Sequence, residues 1–216
     1  MSQRHPHRRP VLRAGRRAAL RGLAAIALYP FTAAAQSTLP RTPAQTEGPF
    51  YPRTIPSDHD ADLTQVAGRS GRARGTPLSF SGRVLARDGR PLAGATVELW
   101  QCDSLGRYHH IGDQGGPLDD DFQGYGTATT DAAGRYAFTT IRPVAYPGRP
   151  PHLHVKVHAS GATSLTTQVY IRGDSIAGDA VIAGSPAGTL DRLSMALTPA
   201  ADRGPGALAG TFDFVL

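Results

Sequence analysis

The sequence predicts an all-β fold: an antiparallel β-sandwich with an extended N-terminal arm. Three observations carry this. Gly (25) and Pro (18) are abundant in the 216 residues, while aromatic residues make up 7%. That composition suits turn-rich sheets better than helical bundles. Short segments alternate apolar and polar side chains and are cut by turn signals. Past the first 35 residues, no stretch holds a helical apolar period over three turns.

Residues 36–76 are rich in Pro, Thr, Asp and Gly and have no periodicity, so they read as the arm, packed on its own domain or on a neighbouring subunit. The domain proper is expected over 77–216. Ser79–Ala86 alternates up to the tight turn Asp88-Gly89. Ala93–Trp100 alternates again, with Ala95, Val97 and Leu99 on one face and Thr96, Glu98 and Trp100 on the other. Trp100 reads most simply as core. The turn Asp131–Gly134 leads into a strand over 135–141. Segments 152–158 and 164–171 are further strands, and Phe212–Leu216 closes the chain.

The formal net charge is +6, which first suggests an anionic partner. Seven arginines, however, lie within residues 1–35, where Asp and Glu are absent; without them 16 basic residues face 17 acidic ones. The basic character belongs to the leader, and a nucleic-acid function is excluded. Residues 1–35 read as an export signal, with an arginine-rich start, the apolar run Leu23–Phe31 and small residues Ala33–Ala35 before Gln36. Arg8-Arg9 and Arg16-Arg17 give it twin-arginine character; an ordinary secretory signal is the plainer alternative. The apolar run is too short for a permanent membrane anchor. The mature protein is then expected outside the cytoplasm, periplasmic or extracellular. A single cysteine, Cys102, excludes an internal disulfide and reads as a small buried residue.

The chemistry centres on His152-Leu153-His154. Alternate residues of a strand share a face, so both imidazoles reach one point while Leu153, Val155 and Val157 face the core. Alone the pattern is weak, because a solvated polar face fits it too. Tyr146-Pro-Gly-Arg149-Pro-Pro then puts a tyrosine and an arginine in a stiff connection just ahead of the strand.

Together, Tyr146-Pro, Arg149 and the His-x-His pair resemble the intradiol ring-cleavage dioxygenases, most closely the protocatechuate 3,4-dioxygenase branch. Thr46–Tyr51, the hairpin Gly82–Gln101, Gly106-Arg-Tyr108, Asp121–Gly126, Thr130–Pro143 and Thr167–Tyr170 follow in family order, so the resemblance spans about residues 45–175. It implies that Tyr108, Tyr146, His152 and His154 ligate a non-haem iron(III). It also implies that Tyr146 doubles as a general base, Arg149 lies beside the substrate and Gln168 stands behind it. The implied reaction cleaves a small aromatic diol between its hydroxyls with O2, giving a cis,cis-muconate-type diacid. The family tends to assemble, and the arm could reach a neighbouring copy of the chain.

Only five residues separate Tyr146 from His152, a shortened connection that leaves substrate choice open. Arg107 and Arg142 are candidates for holding a ring carboxylate. His109 and His110 are expected at the rim or in solvent, and His158, on the ligand face of its strand, behind the ligands or exposed. Two other readings fit parts of the chain. An exported transthyretin-like binding module matches the hairpins without needing two tyrosines and His-x-His. A hydrolytic zinc site matches the histidines but not the phenols.

Overall fold

The computed structural model describes Met1 and residues 38–216; apart from Met1, the expected export signal lies outside the described residues. Ten strands and a few short helical turns make up the described chain. In chain order the strands are β1 (Pro77–Leu85), β2 (Thr96–Trp100), β3 (Tyr125–Thr129), β4 (Arg135–Ile141), β5 (His152–His158), β6 (Leu165–Ile171), β7 (Ser194–Met195), β8 (Leu197–Pro199), β9 (Leu208–Thr211) and β10 (Phe214–Val215).

They form two five-stranded sheets. In the first, β1 pairs antiparallel with β4 along one edge; β9 and then β10 run parallel to its other edge, and β8 flanks β9. The second has the order β3-β2-β5-β6-β7. Its first four strands are antiparallel, whereas β7 is parallel to β6. Both sheets are therefore mixed, where the sequence had suggested antiparallel pairing throughout. The parallel pairs arise at the C-terminal end, where long connections return the chain in the same direction. One of these crossovers, between β6 and β7, carries the helical turns Ala180–Ala183 and Thr189–Arg192.

One apolar cluster draws on both sheets: Leu78, Phe80, Phe138 and Ile141 from the first, and Val97, Leu99, Leu153, Val155, Val157 and Val169 from the second. Burying each such side chain is worth roughly 1.5–3 kcal/mol, which fixes the register of β5. A slip of one residue would turn Leu153, Val155 and Val157 outward and drive His152 and His154 into hydrocarbon. The same register puts the two histidines on the opposite face. There a second cluster of Trp100, Cys102, Tyr108 and Tyr125 collects Phe50, Tyr51, Val144 and Tyr146.

Residues 38–76 contain no helix or strand beyond a single bridge between Asp62 and Thr139. Their backbone is nonetheless tied to the domain. Leu39 N–H donates to Arg87 O, Thr42 N–H to Val215 O, Gln45 N–H to Thr166 O and Leu63 N–H to Thr139 O. This brings Gly48, Phe50 and Tyr51 onto the histidine face.

Candidate metal centre

Four side chains converge on that face from three parts of the chain. His152 and His154 project from β5, and both are 1% exposed. Their Nε2 atoms are 3.1 Å apart. The His152 ring is fixed by its other nitrogen, Nδ1, which lies 2.7 Å from Pro150 O. A carbonyl only accepts, so Nδ1 carries the proton and the Nε2 lone pair faces the site. Burial, with Arg149 nearby, lowers His152 to about 4. Burial, His152 and Arg149 together push His154 well below its ordinary value. Both rings are neutral at physiological pH, the form that binds metals.

Tyr146 enters from the connection between β4 and β5. Tyr146-Pro-Gly-Arg149 closes on itself: Tyr146 N–H donates to Arg149 O (3.2 Å), and Arg149 N–H to Tyr146 O (2.9 Å). Gly148 sits at φ 78°, as a type II turn requires at its third position, and Pro147 pre-sets the second. The shortened connection is thus a tight turn that brings the Tyr146 hydroxyl 3.4 Å from His152 Nε2.

Tyr108 lies in the loop between β2 and β3 and is 3% exposed. Its ring is edge-on to Tyr146 and stacked on Phe50 (4.6 Å, 23°). Its hydroxyl is buried without a hydrogen-bond partner. An orphan of that kind is costly, and burial pushes its phenol well above the ordinary value. Tyr146 is raised as well, chiefly by burial. A cation is what would reverse both shifts.

Among the described residues, no three His, Cys, Asp or Glu side chains form a metal-holding group. A metal here would depend on the phenols. Two neutral imidazoles and two phenols that become hard anionic donors on ionising suit a hard trivalent ion better than zinc. The orphaned Tyr108 hydroxyl and the two opposed Nε2 atoms fit such an ion.

Arg149 and Gln168 meet behind this group. Arg149 Nη2 donates to Gln168 Oε1 (2.5 Å) and Tyr170 Oη (3.3 Å), and lies 3.4 Å from Asp179 Oδ2. Gln168 Nε2 donates to Thr46 O (2.9 Å), and Tyr170 Oη to Gln45 Oε1 (2.9 Å). The segment before β1 therefore locks the arginine's surroundings. Asp179 also caps the turn Ala180–Ala183, accepting from Val181 N–H at 2.7 Å.

A cavity of about 480 Å³ opens beside Tyr146, with Phe50, Arg107, Asp113, Pro147 and Arg149 among its walls. A larger concavity of about 840 Å³, along Arg83, Thr127 and Tyr136, touches none of the four converging residues.

All six site residues read from the sequence are found together here. Trp100 is buried, yet it belongs to this cluster and not to the main core: its ring lies on His154 at 4.9 Å and 11°. The signal was in the alternation, because Trp100 shares a face with Glu98, and the β2–β5 register sets it opposite His154. Phe50, Tyr170 and Asp179 were missed; nothing local in the sequence marks Asp179 as a partner for Arg149. Cys102 is buried, with its thiol pushed up to about 12 by burial. His158 is exposed on its strand and bonds Ser164 and Glu98.

A family model described as "Dioxygenase" matches residues 46–216. The chain belongs to the intradiol ring-cleavage dioxygenases, a family of enzymes. It is 40% identical over 171 residues to the protocatechuate 3,4-dioxygenase beta chain of Burkholderia cepacia, covering 74% of this chain and 72% of that one. It is 36% identical to catechol 1,2-dioxygenase 2 of Acinetobacter lwoffii, covering 62% of this chain and about half (52%) of that one. Among solved structures it resembles the dioxygenase domain of a dioxygenase carbohydrate-binding fusion protein from Streptomyces sp. SirexAA-E. That match has a TM-score of 0.61 and 34% identity, covering 82% of this chain and 98% of that one.

Proposed function

We propose that this protein cleaves catechol-type rings between their two hydroxyls with O2, giving cis,cis-muconate-type diacids, at an iron(III) held by Tyr108, Tyr146, His152 and His154. The observation that carries this is that His152 Nε2 lies 3.1 Å from His154 Nε2 and 3.4 Å from the Tyr146 hydroxyl, with the Tyr108 ring packed on Tyr146 and its hydroxyl orphaned. The family's use of non-haem iron agrees with that donor set. When bound, iron(III) would supply the Lewis acidity that makes a chelated catechol reactive toward O2.

The chain's own residues do the rest. Tyr146 Oη is the less buried of the two phenols and sits at the cavity wall, placed to take a proton from a catechol hydroxyl. Arg149, oriented by Gln168 and Asp179, presents positive charge beside the ring as negative charge develops there. Phe50 and Trp100 wall off water from the histidines.

The two sheets sharing one core support the sandwich reading, and the backbone ties of residues 38–76 support the arm. The leader's composition supports export; secretion of a reporter fused to residues 1–40 would test that. No helix of the described residues is long and apolar enough to cross a membrane. Assembly with a second copy stays a proposal from the family's habit, checked by light scattering. The binding-module reading gains nothing from the converging donors.

The test is a visible spectrum of the purified protein before and after anaerobic catechol. A tyrosinate-to-iron(III) band that moves to longer wavelength supports both ligands and substrate. A protein that stays colourless after iron reconstitution overturns the reading.

A further inference from the structure

We propose that the Arg107–Asp113 pair is the element that reads the ring substituent: it admits an uncharged oxygen-bearing group, such as an ester, ketone or ether, and rejects a ring carboxylate. The proposal rests on the dioxygenase reading above.

Arg107 and Arg149 line the cavity, while the third candidate, Arg142, is not among its lining residues; each of the three already has a carboxylate. Arg142 Nη2 bonds both oxygens of Asp174 at 2.7 Å. Arg149, the cation assigned to the reacting ring, has Asp179 3.4 Å behind it. Arg107, on the cavity wall, donates through Nε (2.9 Å) and Nη2 to a single oxygen of Asp113. The other Asp113 oxygen accepts the Tyr108 N–H (2.7 Å), so the carboxylate is held on both sides.

A ring carboxylate entering this cavity would lose hydration and meet a guanidinium whose charge is already balanced. An ester or ketone loses far less hydration and needs no countercharge. Arg107 Nη1 is buried without an acceptor, and the residue is 9% exposed. A side chain at Gly115 would place its Cβ 3.0 Å from Cζ and Nη1, so glycine is what leaves room for the guanidinium in the cavity wall. Phe50, Pro147 and Tyr146 supply an apolar wall for the ring. The arrangement thus departs from the acid preference that the name of the protocatechuate relative carries.

The test compares catechol, protocatechuate and protocatechuate methyl ester on the iron-loaded enzyme. Both kcat/KM and anaerobic affinity are read, the latter from the shift of the visible band. The ester should exceed the acid by about tenfold or more in each, the expected effect of a carboxylate that finds no uncompensated cation. Asp113→Asn frees the Arg107 charge and should swing the ester-to-acid ratio toward the acid by a similar factor. Gly115→Ala, which changes no charge, should lower the ratio of ester to catechol. An acid preferred over its ester, or ratios that neither variant moves, would overturn the proposal while leaving ring cleavage intact. If none of the three compounds is bound or cleaved, the dioxygenase reading fails, and this one with it.

Discussion

The indole of Trp100 lies flat on the imidazole of His154, their centroids 4.9 Å apart and their planes 11° from parallel. The stack matters because His154 Nδ1 is buried and has no hydrogen-bond partner, whereas His152 is oriented through Pro150 O. A metal-binding histidine is ordinarily aimed by its second nitrogen. Here the ring is aimed by Trp100 on one side and by Gly48 on another, where a Cβ would stand 3.3 Å from His154 Cε1. An aromatic pair of this kind is worth about 0.5–1.5 kcal/mol beyond its buried area. Trp100→Leu should therefore weaken metal retention about tenfold, within the range for lost supporting contacts. Trp100→Phe should restore most of it. Iron content after dialysis against a chelator is the measurement; equal retention in both variants would show that the stack does not aim the ring.

Arg149 anchors its planar guanidinium through one terminal nitrogen, with the group set in the cavity wall. One nitrogen serves Gln168, Tyr170 and Asp179 together. Arg149→Lys keeps a positive charge but replaces the planar fork with a point charge. Metal content should stay at the native level, since Arg149 is not among the converging donors. Turnover of catechol should fall by roughly 10²-fold, the cost of removing one well-placed donor from developing charge. A rise in KM alone, with kcat preserved, would assign the arginine to binding only.

Much of this was legible in the sequence because strand alternation carries it. Leu153, Val155 and Val157 announce the core face of β5, and that assigns His152 and His154 to the other face without further information. The mixed character of the sheets was not legible. Parallel partners such as β7, β9 and β10 are two to four residues long, and Leu208-Ala-Gly-Thr211 has too little alternation to read. Pairing across the molecule, not local pattern, creates them. For the same reason Arg107 and Arg142 read as free cations, while their partners Asp113 and Asp174 are found only when the loops fold back.

Gly82 marks the place where the chain passes from β9 to β10 against β1. Phe212 N–H donates to Ser81 O, Arg83 N–H turns to the Asp213 side chain, and a Cβ at Gly82 would stand 1.8 Å from Phe212 O. No rotamer relieves a clash with backbone. Gly82→Ala should cost at least about 3 kcal/mol, the upper range for a single substitution. Thermal unfolding checks it. A melting temperature within a degree or two of native would mean that the C-terminal strands can lift from β1 at little cost.

Tyr136 contributes to the loss of stability at alkaline pH. Its hydroxyl donates to Phe212 O at 2.7 Å, and burial holds its phenol well above the ordinary value of about 10. The folded state thus keeps the proton at a pH where the unfolded chain releases it. Below pH 10 both states are protonated and the full stability is present. As pH rises past about 10, the unfolded state ionises first and stability falls. Tyr136→Phe should cost about 1 kcal/mol at neutral pH, the net worth of the lost hydrogen bond together with an orphaned carbonyl. In return the variant should lose less stability between pH 9 and 11 than the native protein. Denaturant midpoints measured across that window give both numbers, and parallel curves would assign the alkaline loss to other groups.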